Sequence, residues 1–207
     1  MERKTQTGYL MLADISGYTS FVAKTEIEHA DIALSYLLET IVEKINSLLT
    51  VSKLEGDAVF AYAEAGKLPN GAALLEIIDN TYVAFRDKAE ELYSHTTCPC
   101  KACRAIPTLD LKFMVHHGEF IIQQVAGIKD LLGTDVNLIH RLAKNHVAES
   151  TGWRGYVLFT QPGMEHLQIN KTAYIQQTES YEHLGDVEIY VMDMHVRYEE
   201  MKAPGEG

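Results

Sequence analysis

Tyr9-Leu10-Met11-Leu12-Ala13-Asp14-Ile15-Ser16-Gly17-Tyr18-Thr19 opens as an apolar run and closes on a carboxylate and a glycine. The run is too short for an ordinary helix and is cut by Ser-Gly, so it reads as a buried strand over Tyr9–Ala13 that delivers Asp14 to a turn. Downstream, Thr50–Leu54 and Ala58–Tyr62 are two short β-type runs separated by Glu55-Gly56-Asp57. They predict a tight hairpin with a second carboxylate at its tip. A single turn aspartate usually caps or turns the chain. Two of them at the turns of adjacent strands can instead hold a pair of hard cations, since Mg²⁺ takes one or two carboxylates together with phosphate oxygens and water. Composition alone leaves both readings open.

Between these turns, Leu34, Leu37, Leu38, Ile41, Ile45, Leu48 and Leu49 recur at three- and four-residue spacing and predict a long amphipathic helix over Ile27–Leu49. Gly66–Gly71 breaks the chain before a second helix over Ala72–Ser94. Leu109–His117 and Glu119–Ala126 flank Gly118 and read as another hairpin. Asp130-Leu131-Leu132-Gly133 then leads into a helix over Thr134–Ala148. Gly155–Thr160, Ala173–Thr178 and Val187–Met192 add strands, and Lys202–Gly207 reads as a disordered tail behind one domain over 1–201. This order gives an α+β class, with helices packed on a largely antiparallel sheet.

The chain has 207 residues, 46% of them hydrophobic, enough for one sizeable core. Its net charge of -11 argues against a nucleic-acid binder, which needs a basic face to release counterions. A small anionic substrate would need cations to neutralise it. No apolar run approaches a membrane span, and the acid at Asp14 comes too early for a secretory signal, so a cytoplasmic location is expected.

Ala13-Asp14-Ile15-Ser16-Gly17-Tyr18-Thr19 resembles the first metal motif of the class III adenylate and guanylate cyclases. In the same order, Lys53-Leu54-Glu55-Gly56-Asp57-Ala58 resembles the hairpin carrying the second metal aspartate. Leu111–Val125 is similar to the family's hairpin with a central Gly-Glu, and Asp130–Leu142 is similar to its substrate-binding segment. The resemblance implies a ferredoxin-like βαββαβ core. It also implies two Mg²⁺ or Mn²⁺ ions on Asp14, Asp57 and the Ile15 carbonyl, with the triphosphate held by the turn of Ser16, Gly17, Tyr18 and Thr19. Lys53 and Asp130 stand where adenylate cyclases read adenine, a donor and an acceptor that suit its N1 and exocyclic amine. Asn137 and Arg141, one helical turn apart, share a face. They match the family pair that orients the ribose and stabilises charge on the phosphate during transfer.

The activity so implied is conversion of ATP to 3′,5′-cyclic AMP and pyrophosphate by a homodimer. In the family the metal aspartates come from one subunit and Lys53, Asp130, Asn137 and Arg141 from the other. One position departs from the pattern. Active members have a phosphate-binding lysine just before the match at Gly185-Asp186, and here the segment is Tyr181-Glu182-His183-Leu184. Lys144, three residues after Arg141, is one candidate substitute, and terminal phosphates held only by metal are the alternative. The departure keeps a second reading open, a cyclase-fold nucleotide sensor of little or no turnover, and a cyclase for another base is a third.

Cys98-Pro99-Cys100-Lys101-Ala102-Cys103 lies outside that pattern. With His95 close before them, these thiols could form a tetrahedral structural zinc site; a loop of reduced cysteines is the alternative. His116-His117 are strand neighbours that point to opposite faces, which suits core or sheet-surface roles better than one shared ion.

Overall fold

The protein is described by a computed structural model covering residues 4–203. Its first strand, β1 (Gln6–Ser16), is longer than the apolar run at its centre and hydrogen-bonds on both sides. Side-chain alternation therefore feeds two cores. Met11, Ala13 and Ile15 face one, Leu10 and Leu12 the other, and every one of these side chains is buried. A short helix α1 (Tyr18–Lys24) follows the Gly17 turn, and α2 (Ile27–Ile45) carries the predicted stripe, burying Leu34, Leu37, Ile41 and Ile45 on the sheet.

Strands β2 (Thr50–Glu55) and β3 (Ala58–Glu64) form the expected hairpin, and β3 lies antiparallel beside β1. Helix α3 (Gly71–Ser94) begins at Asn70, whose side chain accepts the Ala73 amide hydrogen at 2.9 Å and so satisfies one of the first-turn donors. It packs on the same face as α2. A five-residue helix α4 (Lys101–Ala105) follows the cysteine loop.

The hairpin expected about Gly118 is not there. Asp110–Val125 is a single long strand, β4, in which Gly118 pairs with Gly8 of β1. The turn falls instead at Ala126 and Gly127, both at positive φ (51° and 85°), the signature of a two-residue type I′ turn into β5 (Ile128–Leu132). Gly118 is small because it is crowded: a Cβ there would lie 2.3 Å from the Asp135 carboxylate. Glycine marked a close approach and not a turn.

The helix expected over 134–148 is divided into α5 (Thr134–Leu142) and α6 (Val147–Thr151). Asn145 ends the first by turning its side-chain oxygen to the Val147 amide, a local bond that competes with helix continuation. Helix α5 buries Val136, Ile139 and Leu142 against the second core, on the sheet face opposite α2 and α3.

The remaining strands and α-helices are β6 (Tyr156–Thr160), α7 (Gln161–Leu167), β7 (Ile175–Tyr181), β8 (Gly185–Asp193) and α8 (Met194–Lys202). The sheet runs β2-β3-β1-β4-β6-β8-β7, with β5 on β4; β4 and β6 are parallel and the other pairs antiparallel. Lys202, expected in the tail, closes α8 and pairs with Asp87 at 3.0 Å, while 204–207 lie outside the described residues.

Candidate active site

The register of the central strands brings the two turn aspartates together. Asp14 sits opposite Ala58 of β3, and the Ile15 amide donates to the Asp57 carbonyl at 3.2 Å, so the hairpin tip folds back onto the end of β1. Burial and then the neighbouring Asp14 carboxylate push the Asp57 carboxyl up to about 6. Two carboxylates crowded into one partly buried corner repel, and a hard cation relieves that repulsion. The donor set therefore fits Mg²⁺ or Mn²⁺.

A third residue enters this corner that sequence reasoning missed. Lys112 of β4 stands in register with Asp14, its ammonium 3.3 Å from Asp14 Oδ2, and it donates to the Ala143 carbonyl at 3.0 Å. The clue available in the sequence was its place as the one cation in the apolar run Leu111–Val115.

Ser16, Gly17, Tyr18 and Thr19 form the turn from β1 into α1. Gly17 has φ 91°, in the left-handed region, and a Cβ there would lie 2.3 Å from Arg154 Nη2. Only glycine lets that guanidinium lie against the turn. The Ser16 hydroxyl donates to the Arg154 carbonyl at 2.7 Å and fixes the backbone of the same residue. Arg154 lies in a loop before β6, and nothing in its local sequence marked it.

The structure brings Lys53 and Asp130 together. Lys53 Nζ lies 3.1 Å from Asp130 Oδ1 and 3.0 Å from Glu55 Oε1. Burial works against the ammonium, but the bonds from Glu55 and Asp130 prevail and hold its pKa above the usual lysine value. Asp130 is in β5, opposite Gln123 of β4, and so sits on a strand of fixed register. Two further residues join the pair: His140 Nδ1 lies 3.0 Å from Glu55 Oε2, and its ring packs against Phe60. Glu55 was legible by alternation, because residues two apart on a strand share a face with Lys53. Asn137 and Arg141 are both exposed on α5.

The turn that lacks the expected lysine joins β7 to β8, with His183 at φ 69° and Glu182 and His183 paired at 3.4 Å in full solvent. Lys144 is exposed just beyond α5. In the cysteine loop, the nitrogen that faces the three thiols belongs to His29 of α2. His95 instead points Nδ1 at the Glu91 carbonyl, 3.0 Å away. His116 and His117 do face opposite ways. His116 bonds Thr160 at 2.7 Å and Asp135 at 3.1 Å, whereas His117 stacks on His166 with ring centroids 3.6 Å apart.

This architecture is that of known cyclase domains. The chain is similar to the guanylyl cyclase Cya2 (TM-score 0.74, 15% identity, covering 92% of this chain and 93% of that one). It is also similar to the adenylyl cyclase CyaB from P. aeruginosa (TM-score 0.60, 17% identity, 93% and 97% covered). A bacterial light-regulated adenylyl cyclase matches with TM-score 0.70 and 17% identity over 94% of this chain and 54% of that one. In sequence, a Mycobacterium tuberculosis protein described as "Uncharacterized protein Rv2561/Rv2562" is 29% identical over 163 residues, 78% of this chain and 73% of that protein. The shared fold is that of the class III adenylyl and guanylyl cyclase catalytic domains. Residues 34–151, more than half of the chain and enough to hold Lys53, Asp57, the three cysteines, Asp130 and Arg141, match the model described as "Protein of unknown function (DUF2652)", and the chain belongs to that family on a class III cyclase fold.

Proposed function

We propose that the protein is an adenylate cyclase-like enzyme, converting ATP to 3′,5′-cyclic AMP and pyrophosphate in a homodimer. The observation that carries this reading is the joint placement of two pairs: Asp14 with Asp57 at the end of β1, and Lys53 with Asp130 across β2 and β5. In the reaction the ribose 3′-oxygen bonds to the α-phosphorus, the bond from that phosphorus to its bridging oxygen breaks, and the 3′-hydroxyl loses its proton. Divalent ions held by Asp14 and Asp57 would supply charge neutralisation and acidify the attacking hydroxyl.

The chain's own residues supply the rest. Lys53 would donate to adenine N1 and Asp130 would accept from its exocyclic amine. Arg141, always protonated and planar, would match the oxygens on which charge builds, and Asn137 on the same helix face would orient the ribose. Lys112 beside Asp14 and Arg154 against Gly17 are cations at the metal corner and the turn, and they are the residues we assign to the phosphates in place of the missing lysine. The exposed apolar residues Val125, Ile128 and Leu132 on the β4–β5 hairpin suit a subunit contact.

A second reading, a nucleotide sensor with slow turnover, is favoured by one feature. Lys112 already neutralises Asp14, so a cation must displace or share that partner. Incubating the protein with each of the four nucleoside triphosphates and Mn²⁺, with products identified by mass, separates the readings. Cyclic AMP is expected, and its loss by 100-fold or more in Asp14→Ala and in Asp57→Ala. Nucleotide binding without any cyclic product selects the sensor; unchanged nucleotide affinity in both variants removes the two-metal centre altogether.

A further inference from the structure

We infer that His29, Cys98, Cys100 and Cys103 form a closed structural zinc site that pins the start of α2 to the loop between α3 and α4. The four ligand atoms all lie within 4.8 Å of one another. His29 Nδ1 stands 3.2 Å from Cys100 Sγ, 3.5 Å from Cys98 Sγ and 3.9 Å from Cys103 Sγ. A tetrahedral zinc with Zn–S about 2.3 Å and Zn–N about 2.0–2.1 Å puts nitrogen and sulfur about 3.6 Å apart, the middle of that range. Hydrogen bonding does not account for the arrangement, because one ring nitrogen is either one donor or one acceptor and here three sulfurs surround it.

The backbone supports the same assignment. Cys100 Sγ accepts the Cys103 amide hydrogen at 3.4 Å, which holds the Cys100 sulfur against the first turn of α4, the turn that carries Cys103. From the other side, Glu26 Oε2 accepts the Ala102 amide hydrogen at 3.1 Å, so the segment entering α2 already docks on α4. Three thiolates and an imidazole are a soft donor set that selects zinc over Mg²⁺ or Mn²⁺. All four positions are filled by protein, leaving none for a substrate, so the role is structural.

The consequence reaches the active site through the chain. The Ser16–Thr19 turn feeds α1, and α1 runs directly into α2, whose first turn holds His29. Fixing that end braces the helix pair behind the turn. The inference is independent of the proposed cyclase activity, because its test reads metal and not product.

Full-length protein purified without chelator should carry about one zinc per chain. Replacing zinc with Co²⁺ should give the intense visible and near-ultraviolet bands of tetrahedral thiolate coordination. Strong chelator should make all three thiols reactive and lower the melting temperature by ~5 °C or more. His29→Ala should weaken zinc binding at least tenfold, whereas His95→Ala should leave it unchanged. The proposal is overturned if the folded wild-type protein neither contains zinc nor develops thiolate–cobalt bands, or if His95→Ala loses the metal and His29→Ala keeps it.

Discussion

At the residue scale, Asp57 records what the fold does to a carboxylate. Its pKa rises to about 6, chiefly through burial and secondly through Asp14, so without metal the native state holds a proton that the unfolded chain has released. Between about pH 4 and pH 6 the native state binds more protons than the unfolded state, and stability therefore falls as pH rises through that window. Asp57→Asn removes the dependence. Metal-free Asp57→Asn should melt higher than metal-free wild type at pH 7, by roughly 2–4 °C for each kcal/mol relieved, and the gap should close by pH 4. Mn²⁺ should raise the melting temperature of the wild type and not that of the variant. Thermal melts at the two pH values with and without Mn²⁺ check both statements, and an equal gap at pH 4 and pH 7 contradicts the upward shift of the Asp57 carboxyl.

At the scale of elements, the long β4 decides where Asp130 goes. A turn at Gly118 would have ended the strand there. The continuous strand instead carries its hairpin to Ala126-Gly127 and lays β5 alongside, with Asp130 in register with Gln123. Asp135 then locks the start of α5 to this strand, accepting the Glu119 amide hydrogen at 2.6 Å and meeting His116 at 3.1 Å. Gly118→Ala should cost about 1–3 kcal/mol, because its Cβ displaces that carboxylate. The cost should shrink in an Asp135→Ala background, the coupling expected of two groups in contact. Gly127→Ala meets no atom within 4 Å and carries only the penalty of a left-handed backbone, so its cost should not change with residue 135. Denaturant titration of the single and double variants measures the difference; full additivity at 118 and 135 would count against the close approach.

At the scale of the whole molecule, the division of residues between subunits is the strongest consequence of the proposed function. Asp57→Ala and Arg141→Ala should each be inactive as homodimers, one lacking a metal carboxylate and the other the phosphate cation. In a mixed dimer one of the two shared sites carries both intact halves, so mixing should restore up to about a quarter of wild-type activity when half the dimers are mixed and each has one working site. Cyclic AMP production by the mixture checks this, once mass spectrometry has shown subunit exchange. A mixture that stays inactive despite exchange would place both residues in one subunit's site.

The sequence by itself determined what local chemistry can write. The apolar run ending at Asp14, the hairpin tip at Asp57, the α2 stripe and the burial of β1 follow from spacing and from turn residues, because each depends on neighbours a few positions away. The ordered motifs were likewise enough to point to the cyclase fold and to single out Lys53 and Asp130, whereas their 3.1 Å contact is a product of the tertiary structure. Tertiary structure alone decided the rest. Gly118 has the same composition signal whether it turns the chain or admits Asp135, and only the pairing with Gly8 chooses between them. Lys112, Arg154 and His29 lie far in sequence from the groups they meet, across β1, the Gly17 turn and the cysteine loop. Their roles exist only once long-range packing has fixed which strands and helices are neighbours, and no periodicity within a single segment encodes that choice.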